Sequence, residues 1–266
     1  MVYVAAELEG RYPEVFQALQ QHTPVGLIQG AADVWARDYM PVPVGPGRCV
    51  QFVFDPRYLK EPKYQRLRTD THTLTNPAGL QITPCALVLD GGNVVKDDTY
   101  AILTEEVVRA NPGYGLESIK AELARILAVK KVVLIPWQPY DWTHHADGMV
   151  ALFDGKLFVQ DFSRESQSFQ KRFATSLDVI SYSRIHLPSP PEGAKGAVGC
   201  YANLIAVDSR TLLVPVYGIA NDGVVLRLLH RELPGWQIVP IPCGAPALDG
   251  GSLRCLTWQP EFQPQV

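Results

Sequence analysis

The chain has no Cys-x-x-Cys pair, no apolar run of the length a membrane-spanning helix needs, no low-complexity tail and no basic cluster in its first residues. Each absence removes a class of protein. The five cysteines, Cys49, Cys85, Cys200, Cys243 and Cys255, are odd in number and widely spaced, which fits neither a disulfide framework nor a zinc knuckle and leaves at least one thiol free. Met1 to Glu9 lacks the charged and apolar regions of a secretory leader, and a bilayer span would take roughly 18 apolar residues or more. A cytoplasmic location is therefore expected. Charge is also sparse, at 19% of residues with a net −3, which argues against nucleic acid or an acidic membrane as a partner. Against these gaps stand 266 residues that are 47% hydrophobic. That is enough for one large core, so residues 1–266 are expected to form a single domain.

What the chain does contain is an echo. Leu89-Asp90-Gly91-Gly92-Asn93-Val94 is nearly matched by Leu248-Asp249-Gly250-Gly251-Ser252-Leu253, which runs on into Arg254 and Cys255. Between them lies His145-Ala146-Asp147-Gly148-Met149-Val150, and near the start Trp35-Ala36-Arg37-Asp38. The steps from Asp38 to Asp90, Asp147, Asn203 and Cys255 are 52, 57, 56 and 52 residues. A period near 50 is the mark of a propeller or other repeat array, and it would carry one polar side chain of each unit to a common centre.

Each unit reads strand, strand, helix, strand. After Asp90 come a strand, a turn at Lys96-Asp97-Asp98, a strand Thr99–Thr104, helical sequence broken at Pro112-Gly113 and resumed over Leu116–Leu127, and a strand Lys131–Ile135. After Asp147 the hairpin Met149–Phe153 and Lys156–Gln160 turns at Asp154-Gly155, a strong two-residue signal, and Ser166–Leu177 is helix-compatible. After Asn203 the strands Leu204–Val207 and Thr211–Val216 precede a helix Asp222–Leu233 and a strand Gln237–Ile241. The first unit opens at Asp38 and turns at Gly45-Pro46-Gly47, while Lys60–Thr75 has poor helical character. The unit at Cys255 is incomplete, and its helix and last strand are expected from the N-terminus, Glu14–Gln21 and Val25–Gln29. Such borrowing would close a ring and remove exposed sheet edges.

Four motifs in this order, Trp35-x-Arg37-Asp38, Asp90-Gly91-Gly92-Asn93, His145-x-Asp147 and Gly250-Gly251-x-x-x-Cys255-x-Thr257, resemble those of the guanidino-group-modifying hydrolases. Within that group the chain is similar to the agmatine deiminase and bacterial-type peptidylarginine deiminase family. The resemblance implies an α/β fold of five ββαβ modules, a pentein αβ-propeller with pseudo-fivefold symmetry, and no metal or organic cofactor. It implies Cys255 as nucleophile, His145 as general acid and base, and Asp38, Asp90 and Asp147 as the acids that hold a guanidinium, with Asp90 and Asp147 counted in the catalytic set. Asn203 is expected to wall the pocket and Trp35 to cover the substrate.

The chemistry explains such a set. A guanidinium is planar, cationic and rich in donors, so fixed carboxylates grip it as a fork and hold its carbon beside a nucleophile. A thiolate attacks that carbon where a neutral thiol does not. Carboxylates around an empty pocket should raise the thiol pKa, and a bound cation should lower it again.

Plainer readings compete. Asp-Gly pairs commonly only turn the chain, which is the preferred meaning of Asp249. Arg37 and Asp38 can form an ordinary ion pair, and Trp35, Trp142 and Trp258, each three residues from a candidate site residue, can cover an alkyl stem or a cation, with core packing the preferred meaning. His144, His145 and Asp147 lack a third partner at zinc spacing. The chain also departs from the family pattern. Asp90 stands where agmatine deiminases usually carry glutamate, Arg254 where many carry histidine, and only 37 residues precede Asp38. Strand alternation would turn Arg254 outward. The expected partner is a small guanidino compound, agmatine-like first, with arginine or a peptidyl arginine as the alternative. A guanidino-binding propeller without turnover is a further reading, and a homodimer is compatible with any of them.

Overall fold

The computed structural model describes residues 1–74 and 79–260. The chain is an α/β protein whose strands form five separate sheets. The first joins its two ends. β1 (Val2–Ala5) and β2 (Val25–Ile28) run parallel, connected through the helix Pro13–His22. Tyr3 then bridges antiparallel to Trp258, with the Tyr3 amide 2.7 Å from the Trp258 carbonyl and the Trp258 amide 2.8 Å from that of Tyr3. The borrowed helix and strand agree closely with those read from the sequence. β1 is an addition, because a four-residue apolar stretch carries too little pattern to be assigned.

The other four sheets repeat one topology. β3 (Val42–Gly45) pairs antiparallel with β4 (Arg48–Val53), and β5 (Gln81–Val88) lies parallel to β4. β6 (Val95–Lys96), β7 (Tyr100–Thr104) and β8 (Lys131–Ile135) follow the same rule. So do β9 (Val150–Phe153), β10 (Lys156–Gln160) and β11 (Ser183–Leu187), and β12 (Ile205–Ala206), β13 (Thr211–Val216) and β14 (Gln237–Pro242). A parallel return needs a crossover. Helices Leu116–Ile126, Gln167–Leu177 and Ala220–Glu232 supply it in the last three. Between β4 and β5 the described residues hold two short 3-10 turns, Arg57–Leu59 and Gln65–Leu67, as the poor helical pattern of Lys60–Thr75 implies; Thr75 itself lies outside the described residues.

Local chemistry accounts for the repeats. Asp154 and Gly155 both have positive φ, 50° and 63°, the geometry of a two-residue type I′ turn whose twist suits a hairpin. The hydroxyl of Ser166 accepts the amide of Phe169 at 3.3 Å and caps the helix that follows. That helix turns Phe169, Phe173 and Leu177 inward, onto Leu157 and Val159 of its own sheet and onto Ile102, Val133 and Ile135 of the sheet before it. Each crossover helix thus glues two modules. β11 escapes sequence reading because Ser-Arg-Ile-His-Leu mixes its pattern. Among the described residues no helix is long and apolar enough to cross a membrane.

Candidate active site

The recurring polar residues sit in or beside short turns that lead into the first strand of each sheet. Asp38 lies in the helical turn Ala36–Tyr39, Asp90 immediately precedes the 3-10 turn Gly91–Asn93, and His145 immediately precedes Ala146–Gly148, which contains Asp147. Cys255 lies in a turn rather than on a strand. Neighbouring turns touch in sequence order. His145 bonds Asp90, the Asn203 amide donates to the Asp147 carbonyl at 3.3 Å, the Arg254 amide donates to Asn203, and the Arg37 amide donates to the Cys255 carbonyl at 3.1 Å. The glycines make this approach possible. A Cβ on Gly91 would strike the Arg37 carbonyl, and one on Gly92 would strike Asp38 and the His145 ring. The Asp-Gly-Gly-Asn motif is therefore a close-contact device.

His145 is buried between two acids. Its Nε2 lies 3.0 Å from Asp90 Oδ2 and its Nδ1 3.6 Å from Asp38 Oδ1. Burial opposes a charged ring, but Asp38 and the bond to Asp90 outweigh it and lift His145 to about 10. At neutral pH the ring is an imidazolium. Asp38 is itself pushed up to about 7, first by burial and then by Asp90 and Asp147, with the charge of His145 working the other way. Its Oδ1 is buried without a hydrogen-bond partner, while the Tyr58 hydroxyl donates to Oδ2 at 3.4 Å.

The thiol faces a different set. Asn203 Oδ1 accepts from the amides of Arg254 and Cys255 at 2.7 and 3.2 Å and lies 3.5 Å from Cys255 Sγ. Burial, then Asp147 and Asp38, holds the Cys255 thiol well above its usual range. Arg254 turns inward, with Nη1 2.7 Å from Asp147 Oδ2 and Nη2 2.7 Å from the Val94 carbonyl. This corrects the outward expectation, which rested on strand alternation that a turn does not obey.

Cys255, His145, Asp38, Asp147, Asn203 and Trp35 all line one cleft of about 620 Å³. Asp90 does not; it stands behind His145, bonded to its ring. Asp38 forms no ion pair with Arg37, whose side chain points away. The ring of Trp35 lies against Gly251, where a Cβ would collide with it. Trp258 is core, 1% exposed, but Trp142 is 48% exposed and stands on the cleft wall. Its centroid is 5.4 Å from that of Tyr58 and 5.8 Å from that of Tyr64. His144 turns from the cleft to Glu106, with Nδ1 2.7 Å from Oε2, and stacks on Trp137. Asp249 accepts from the Tyr12 hydroxyl and from Arg11. Tyr58 and Cys200, both on the cleft, belong to no repeat position, so the sequence carried no signal for them.

The sequence profile of the Porphyromonas-type peptidyl-arginine deiminase family matches residues 2–260. A Shewanella frigidimarina protein named "Putative agmatine deiminase" is 24% identical over 85% of this chain and 73% of its own length. A protein of the same name from Vibrio parahaemolyticus is 22% identical, and the alignment covers 68% of this chain but only 60% of that relative. Among solved structures, the agmatine deiminase of Enterococcus faecalis superposes with a TM-score of 0.76 at 18% identity, over 100% of this chain and 93% of the other. That of C. jejuni gives 0.76 at 16% identity, over 99% and 93%.

Proposed function

Because the chain belongs to the Porphyromonas-type peptidyl-arginine deiminase family, we propose that it is a cysteine-dependent deiminase of a small guanidino compound, built as five ββαβ modules around a pseudo-fivefold axis. The ordered contacts between neighbouring turns and the sheet shared by the two chain ends support the ring. The reaction rests on one observation: Cys255, His145, Asp38 and Asp147 face a single cleft.

The guanidinium docks against Asp38 and Asp147, both of which line the cleft. Its charge offsets the acids that hold the thiol protonated, and Cys255 releases its proton to solvent at the cleft mouth. Sγ then adds to the guanidinium carbon. The His145 imidazolium gives its proton to the departing nitrogen, the C–N bond breaks and ammonia leaves. This yields an S-alkylthiouronium, and His145, now neutral, takes a proton from the water that adds to the same carbon. Breaking the C–S bond returns the thiolate, the hydroxyl proton of the adduct passes to solvent or to the released ammonia, and a neutral ureido product is freed. Asp90 positions the ring and sustains its charge. Arg254 holds one oxygen of Asp147, fixing the carboxylate and limiting the negative charge on the cleft.

An agmatine-like substrate suits the wall. Arg11 is already held by Asp33 and Asp249 at 3.0 and 3.3 Å, and Arg164, also on the cleft, donates to the Pro190 carbonyl, while Asp161, Glu165 and Glu192 outnumber it along the wall. A tail ending in an amine is favoured over one ending in a carboxylate. The test is ammonia and ureido product from agmatine, arginine and an arginyl peptide, with Cys255→Ala as control. Turnover of agmatine lost in Cys255→Ala is the expected result. Turnover of the peptide alone would move the substrate to peptidyl arginine, saturable binding without ammonia would make the protein a binder, and neither would end the proposal.

A further inference from the structure

A second cavity, of about 170 Å³, is lined by the first strands or adjoining turns of four modules and by the turn that carries Cys255, with Met40, Val94, Val150, Leu204 and Trp258 among its walls. It shares no lining residue with the cleft that holds the thiol. Most of the wall is apolar, but Arg37, Lys96 and Arg254 also line it.

Arg37 is only 8% exposed. Its side chain makes one hydrogen bond among the described residues, from Nε to the Arg254 carbonyl at 3.4 Å, and it forms no ion pair there. Both Nη groups are left to the cavity it lines. The acids closest in kind are committed elsewhere: Asp147 to Arg254, and Asp38 to the His145 and Tyr58 side of the turn. The Nη atoms of Arg37 are not among the buried polar atoms without a partner, so the cavity brings solvent to them, and the permanent charge of a guanidinium favours an anion in place of that water.

We propose that this cavity is a binding site for a small anion, gripped by the Nη groups of Arg37 and flanked by Arg254 and Lys96. The volume holds on the order of five waters at about 30 Å³ each, so a halide or a compact oxyanion fits and a nucleotide does not. Burial and the charge of Arg254 push Arg37 down to about 9, a direction that a bound anion would reverse. The site does not depend on the deiminase reading, since it lies outside the cleft and its occupancy is read without turnover.

The test is equilibrium unfolding in denaturant at constant ionic strength, with a bulky organic sulfonate replaced stepwise by bromide or by phosphate. Stabilisation should saturate, with the unfolding constant falling about tenfold at ten times Kd. Arg37→Met should abolish the effect, and Lys96→Met should raise Kd several-fold. Saturation with phosphate alone would assign the site to oxyanions, and with both to compact anions in general. No saturable effect, or one that Arg37→Met retains, overturns the proposal. If Arg37→Met does not fold, anomalous diffraction from wild-type crystals in bromide decides: a bromide peak within hydrogen-bond reach of Arg37 supports the site, and an adventitious ion only, elsewhere on the surface, overturns it.

Discussion

Cys255 and His145 do not rest as a thiolate–imidazolium pair: the ring is held charged by two carboxylates, but the thiol is held neutral by burial and nearby acids. Iodoacetamide alkylation of Cys255 followed over pH should therefore show an apparent pKa above the ordinary thiol range, falling when a non-reactive guanidinium is added; an unchanged profile would refute cation-assisted thiolate formation. Arg254→Met should work the other way. It strips the cation from Asp147, slows alkylation several-fold at fixed pH, and costs about 3–5 kcal/mol in denaturant unfolding as a broken buried pair. His145 also sets a pH slope. Its folded pKa, about 10, exceeds the ordinary 6.5, so its stabilising charge is fully present below 6.5 and lost as pH climbs to 10. Asp38, raised from 3.8 to about 7, adds a loss between those values for the same reason, since the folded state binds the extra proton. The denaturation midpoint should fall from pH 7 to 10 in the wild type and stay flatter in His145→Gln.

At the level of elements, three of the modules stand on a crossover helix with one apolar face. Leu123 is fully buried on the helix Leu116–Ile126, and Leu123→Ala should cost about 2–5 kcal/mol by chemical unfolding. The sequence made these elements legible where periodicity was strong and turn chemistry sharp: Lys156–Gln160 and Thr211–Val216 have the same bounds in the structure, and Ser166 falls at the cap of its helix. It failed where the signal was local and short, as in β1, or mixed, as in β11. The polar residues were readable because a 50-residue period is independent of local pattern. What their side chains touch was not. Arg254 reaches Asp147 across 107 positions of chain, and Asp90 retreats behind His145, because turns and not strands carry them.

For the whole molecule the decisive feature is the clasp between its ends. Trp258 is buried, stacks obliquely on Tyr3 at 5.5 Å and donates its indole N–H to the Pro41 carbonyl at 2.7 Å. Trp258→Ala should lower stability by about 3–5 kcal/mol, and amide exchange should quicken at Val2 to Ala5 and at Val25 to Ile28 before it does in β12 to β14; uniform exchange across the sheets would show that the clasp is not the weak point. The clasp also orders events in time. During translation β1 can pair with β2, and the strands up to Pro242 with one another, as they emerge, but the bridge from Tyr3 waits for Trp258, 255 residues downstream. Cys255 lies three residues before Trp258, so the segment that brings the thiol to Asn203 is the same one that fastens the clasp.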